Sequence, residues 1–136
     1  MDNIIIKPIE NTEENGKLIM EWRNNEHTRN MCYNSDLKIW GEFKDIFKYK
    51  YFNNYIKPLF SYYNNEKIAF IGCISNNEMD KEICKISINI CPKYRGKKLG
   101  KIIINKSIDY IKKYYPLTKK IIAEIKPHNI ASIKLF

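Results

Sequence analysis

The turn KYRGKKLG, from Lys93 to Gly100, concentrates more chemistry than any other stretch of this chain. Arg95, Lys97, Lys98 and Lys101 surround it with cations, while Gly96 and Gly100 let a ligand come close to the backbone. The pattern opens a helix at Leu99 or Gly100, and N–H groups at a helix start point forward with partial positive charge. Such a turn suits an anion, most naturally a phosphate or pyrophosphate. By itself an R-G-x-x-L-G turn is also an ordinary passage from strand to helix, so its meaning depends on its surroundings.

Those surroundings read as a strand before the turn and a helix after it. From Ile83 to Cys91, Ile86, Ile88 and Ile90 alternate with Lys85, Ser87 and Asn89, and Pro92 ends the run because it cannot donate to a ladder. Beyond the turn, Ile104, Ile108, Ile111 and Tyr115 line one helical face, and Pro116 stops the helix. Upstream, Ile4 to Ile6 predicts a strand ended near Pro8. A helix then starts at Thr12, a good cap, and runs through about Arg23. Leu37, Trp40, Phe43, Ile46, Phe47 and Tyr51 recur at helical spacing and predict a second main helix over 36–55. Leu59–Tyr63 and Lys67–Ser75 form a hairpin across Asn64-Asn65-Glu66, and Ile68–Ile74, apolar on both faces, reads as a central strand. Lys120 to Ile125 gives a further strand, and Asn129 begins a last helix. The fold class is α/β, an α+β arrangement on one mixed sheet: strand, helix, helix, three strands, helix, strand, helix. It is a meander followed by a right-handed crossover, in a single domain over residues 1–136.

Composition narrows the options. At 136 residues with 44% hydrophobic and 29% charged residues, the chain is an ordinary globular domain with a real core. Its net charge of +9 implies an acidic partner, although a chain rich in Lys, Asn, Ile and Tyr gains lysine from codon bias alone. The local clustering at the turn is therefore the better guide. Cys32, Cys73, Cys84 and Cys91 form no C-x-x-C pair, and His27 and His128 lie far apart, so no metal is expected and the cysteines read as reduced. The start MDNIIIKPIE is too short for a signal peptide, and no stretch reaches membrane-spanning length, so a cytoplasmic protein with no membrane partner is expected.

Two segments together carry a family resemblance. The turn, as Arg95-Gly96-Lys97-Lys98-Leu99-Gly100, resembles the acyl-CoA-binding pattern of the GNAT superfamily of N-acetyltransferases, with Lys98 in place of the first motif glycine. Asn129-Ile130-Ala131-Ser132-Ile133-Lys134-Leu135-Phe136 resembles the second signature of the same family, one helix and one strand later. Trp22-Arg23-Asn24 is further similar to the branch of ribosomal-protein and amino-sugar-nucleotide acetyltransferases. The resemblance implies a three-layer sandwich in which the fourth and fifth strands splay apart and acetyl-CoA, the co-substrate, enters the gap. Ile88, Asn89 and Ile90 would then pair with the pantetheine arm as an added strand. Backbone N–H groups from Gly96 to Lys101 would hold the pyrophosphate beside Arg95, and Asn129 and Ser132 would stand on the other wall.

The reaction so implied is acetyl transfer to a primary amine of a small molecule (an amino sugar or a polyamine) or to a protein N-terminus. An amine with a pKa of about 10 must lose a proton first. The resemblance assigns that step to Glu124, five residues before Asn129, and as the single charge within IIAEI it would have its pKa raised by burial. An outward-facing Glu124 paired with a lysine is the other reading, and Glu82 is a second candidate base. The Ile90 backbone N–H would polarise the thioester oxygen. At the place of the branch's usual general-acid tyrosine stands Phe136, and His128 flanks the site as a loop residue. The family pattern continues past this point with two further strands, absent from the sequence. The expectation is thus a shortened chain, or one completed by a neighbouring copy in a homodimer. Two alternatives stay open: a basic nucleic-acid-binding module, which the absence of any RNP-like or helix-turn-helix pattern disfavours, and a catalytically inactive CoA-binding remnant.

Overall fold

The computed structural model describes residues 3–24, 37–75, 81–94, 99–126 and 129–134, the last six and 124–126 as backbone alone. One six-stranded sheet runs in chain order, β1 (Ile4–Pro8), β2 (Leu59–Tyr63), β3 (Glu66–Ile74), β4 (Ile83–Ile90), β5 (Lys120–Lys126) and β6 (Asn129–Lys134). Neighbours are antiparallel except β4 and β5, which are parallel and joined through helix α3 (Gly100–Tyr114). This is the expected mixed sheet, a meander closed by a crossover.

Each face of the sheet carries its own core, which makes three layers. On one face Leu99, just before α3, and Ile103 and Ile111 within it pack against Leu59, Ile71, Ile86, Ile121 and Ala123. On the other, Ile19 and Trp22 of α1 (Glu13–Asn24) join Phe43, Phe47 and Tyr51 over Phe60 and Phe70. β3 feeds both cores. A bulge at Ser61/Tyr62 leaves Ile68 as an extra residue, and both Ile68 and Ala69 join the α3 core while Phe70 joins the other.

Local chemistry sets the element ends. Thr12 caps α1 as expected, its Oγ1 accepting from the Asn15 N–H at 3.3 Å. Asn64 and Asn65 both take positive φ (49° and 67°) and make a two-residue hairpin turn of the primed kind that matches strand twist.

Two sequence expectations are corrected. The second helix does not span 36–55. It is α2 (Trp40–Asp45), which widens into π-helical turns over Ile46–Tyr51. Asn54 ends it by donating to the carbonyls of Lys50 (2.7 Å) and Tyr51 (3.1 Å), while its Oδ1 accepts from Ser75 at the end of β3. Phe43, Phe47 and Tyr51 keep the buried stripe, and Leu37 and Ile46 are exposed. The second correction is at the C-terminal end. Asn129 opens strand β6 rather than a helix, and β6 pairs with β5 from Lys120–Lys134 to Lys126–Asn129. A lone β5 would leave a row of unpaired N–H and C=O groups, and the β-branched Ile130 and Ile133 favour the extended state that satisfies them.

Candidate active site

The site begins where two strands part. β4 and β5 pair from Ile83–Lys120 to Ile86–Ala123 and no further, although both strands continue. β4 stays with β3 throughout, up to Ala69–Ile90. The Cys91 N–H donates to the Ile68 carbonyl at 2.7 Å, so by the period of two the backbone of Asn89 also faces β3. Ile88 and Ile90 therefore turn their N–H and C=O groups to the β5 side, into the notch. Of the three residues expected to line the arm, Ile88 and Ile90 turn their backbones to the β5 side and Asn89 turns its own to β3.

The N-terminus of α3 borders the open end of the notch. Leu99, 2% exposed, is the residue before the helix and supplies no side-chain cap. Gly100 starts the helix, and a Cβ there would touch Ile90 Cδ1 at 3.9 Å, which is ordinary contact, so the helix start abuts the end of β4. The first turn holds no acid and instead carries the exposed Lys101, while Lys112 and Lys113 occupy the last turn. A cation in the first turn opposes the helix dipole, which a bound anion would offset. Arg95, Gly96, Lys97 and Lys98 lie outside the described residues.

What leads into that turn is held firmly. Tyr94, in the short 3-10 turn Pro92–Tyr94, donates its hydroxyl to Glu66 Oε2, and Lys93 Nζ reaches Glu66 Oε1 at 3.2 Å. The hydrogen bond to Glu66 pushes the Tyr94 phenol up to about 12. The same bond, with help from Lys93, lowers the Glu66 carboxyl. No sequence signal marked this clamp, because Glu66 and Tyr94 meet only across the β3–β4 pair.

On the opposite face of the sheet, α1 and α2 bring up residues that spacing alone did not select. Trp22 is buried edge-on to Phe60 at 6.0 Å. Arg23 Nη1 donates to the Tyr51 hydroxyl. Asn24 spans Lys38, accepting from its N–H at 2.6 Å and donating to its carbonyl at 2.9 Å. Tyr51 leans over Gly72, where a Cβ would lie 3.1 Å from Tyr51 Cε1 and 3.2 Å from Ser87 Oγ. Ser87 is the first β4 residue past the last β5 pair, so this chain of contacts ends at the base of the notch. The Trp-Arg-Asn triplet was the sequence clue to it.

The remaining candidates divide. Glu124 stands on β5 immediately after Ala123, where the pairing with β4 stops, and opposite Ile130 of β6. Glu82 is at the other end of β4, its carbonyl accepting from Lys119 and Lys120 and its carboxylate exposed, 3.9 Å from Lys119. That is turn chemistry. Asn129 and Ser132 are on β6, so β5 separates them from β4. His128 and Phe136 lie outside the described residues. Cys73 and Cys84 are buried below the paired end of the strands, and the hydrogen bond to Cys84, then burial, holds the Cys73 thiol well above its usual range. Among the described residues no three His, Cys, Asp or Glu gather to hold a metal ion, and no helix is long and apolar enough to cross a membrane.

The fold as a whole is matched by comparisons with known proteins. The sequence profile of the acetyltransferase (GNAT) family matches residues 17–136. The chain belongs to that family. Its chemistry is accordingly acetyl transfer from acetyl-CoA to an amine. No curated protein sequence matches it. Solved GNAT structures do: spermidine N-acetyltransferase from Vibrio cholerae, in complex with CoA and spermine, superposes with a TM-score of 0.74 at 16% identity over 90% of this chain and 71% of that one. An aminoglycoside acetyltransferase, AAC(6')-Ib, in complex with coenzyme A, gives 0.71 at 15% identity over 93% and 76%. A putative acetyltransferase, yncA, from Salmonella typhimurium with acetyl-CoA gives 0.67 at 16% identity over 93% and 72%. At such identities the likeness is one of fold.

Proposed function

We propose that this GNAT protein acetylates the primary amine of a small molecule, an amino sugar or polyamine among them, or a protein N-terminus. The observation that carries the reading is the notch: β4 leaves β5 after Ile86–Ala123 with Ile88 and Ile90 turned into the opening. Those backbones suit an added strand such as the pantetheine arm. The uncapped, acid-free start of α3 beside Lys101 suits the pyrophosphate, and the turn 95–98 would complete its binding. Trp22-Arg23-Asn24 supports placing the chain nearest the ribosomal-protein and amino-sugar-nucleotide branch.

In the mechanism, the acceptor ammonium loses a proton to Glu124, the β5 residue that follows the last pair with β4 at Ala123. The neutral amine attacks the thioester carbon, and the Ile90 N–H stabilises the oxygen as it gains charge. Collapse breaks the carbon–sulfur bond, CoA leaves as thiolate, and the extra proton on the nitrogen of the tetrahedral intermediate passes to the sulfur directly or through water, leaving the amide.

Thermal-shift titration with acetyl-CoA, followed by thiol-release assays against amino sugars, polyamines and peptides, tests the reading. Stabilisation by acetyl-CoA and turnover that falls in Glu124→Gln are expected. No stabilisation at all would sink the proposal, and undiminished turnover in Glu124→Gln would remove the assigned base.

A further inference from the structure

The α1–α2 side of the notch holds two cations, Arg23 and Lys50, that no described acid balances. Arg23, at the end of α1, spends Nη1 on Tyr51, while its Nε is buried and has no hydrogen-bond partner. Lys50, on the π-helical turns, places its ammonium 5.9 Å from the Tyr51 ring centre. Burial, then the Arg23 charge, pulls the Lys50 ammonium below its ordinary range. Among the described residues neither Arg23 nor Lys50 has a carboxylate within ion-pair distance. Two cations that destabilise each other, with a buried donor left over, are the arrangement an external anion relieves. Their place fits an acceptor rather than the acyl donor, because Tyr51, which Arg23 bonds, and Ser87 both flank Gly72 at the base of the notch on the face away from α3.

From this geometry we infer that the amine acceptor carries an anionic group, a phosphate or a carboxylate, which Arg23 and Lys50 bind while its amine is presented to the thioester. The inference rests on the acetyltransferase reading and narrows it. A polycation, the class of ligand in the Vibrio cholerae structure, would meet repulsion here.

The test uses acceptor pairs that differ only in an anion remote from the amine. Glucosamine 6-phosphate is compared with glucosamine, and seryl-alanine with its C-terminal amide, with spermidine as the polycation. The anionic member of at least one pair is expected to have a kcat/KM higher by about tenfold or more, carried by KM, the scale of a charge-assisted hydrogen bond. Which pair responds distinguishes phosphate from carboxylate. In Arg23→Gln that ratio should fall towards one, and Lys50→Gln should lower it if Arg23→Gln does not fold. Equal rates within both pairs, a preference for the neutral members, or spermidine as the best acceptor would overturn the inference. If nothing turns over although acetyl-CoA raises Tm, a Tm no higher with the anionic amines added than with the neutral ones also overturns it. A protein that acetyl-CoA does not stabilise would instead overturn the acetyltransferase reading beneath it.

Discussion

The Tyr94 hydroxyl donates to Glu66 Oε2 and so ties the turn after β4 to the tip of the β2–β3 hairpin. The bond favours the neutral phenol and the charged carboxylate together. A phenol held at about 12 contributes stability below its ordinary value of 10.0 that is lost as pH rises through 12. Glu66, lowered from 4.5, contributes stability that is lost only as pH falls through its folded value. Ultraviolet titration should therefore find Tyr94 among the late-ionising tyrosines, and Glu66→Gln should bring one of them back towards 10.0. A titration curve unchanged in Glu66→Gln would refute the assignment.

Lys101 separates the stability of α3 from its binding role. Lys101→Glu puts an acid in the first turn, where the dipole favours it by about 0.3–1 kcal/mol, so the ligand-free protein should melt slightly higher. The same change should weaken acetyl-CoA by several-fold, read as a smaller Tm increase on titration. An unchanged acetyl-CoA response would argue that the pyrophosphate lies elsewhere.

Gly16 reverses the usual helix rule. Alanine normally stabilises a helix interior over glycine by about 0.5–1 kcal/mol. Here a Cβ would lie 2.7 Å from Trp40 Cη2 and 2.9 Å from Phe47 Cδ2, where α1 crosses α2. Gly16→Ala should therefore destabilise, by about 1–3 kcal/mol in urea unfolding. A gain in stability would mean that Trp40 moves aside at little cost.

Asn65 sits at φ 67° in the hairpin turn. Asn65→Val should cost about 1–2 kcal/mol because a branched side chain resists the left-handed region, while Asn65→Gly should be neutral or stabilising. Equal midpoints for the two variants would contradict the turn type.

Phe43 is 1% exposed and fills the core under α1 and α2. Phe43→Ala should cost about 3–5 kcal/mol, the range for emptying a large aromatic site, with the urea slope little changed. A loss under a kilocalorie would mean that the core collapses around the gap.

The sequence by itself determined the elements whose signals are local. Alternating isoleucines fixed β4, Asn64-Asn65 fixed the hairpin, Thr12 fixed the start of α1, and Pro116 bounded α3. It also determined the family, because the turn at 95–100 and the segment after Asn129 stand in the right order. Tertiary structure decided what depends on partners. Asn129 is a sound helix cap in isolation, yet the open edge of β5 draws it into β6. The second helix ended early because Asn54 donates its amide to the last carbonyls while its Oδ1 accepts from the Ser75 N–H. Arg23 was part of a noted triplet, but its guanidinium acquires meaning only where Tyr51, Gly72 and Ser87 meet across three elements. The notch itself appears in no residue's identity. It exists because β4 keeps its bonds to β3 after β5 has turned away, and pairing between strands is a property of register rather than of composition.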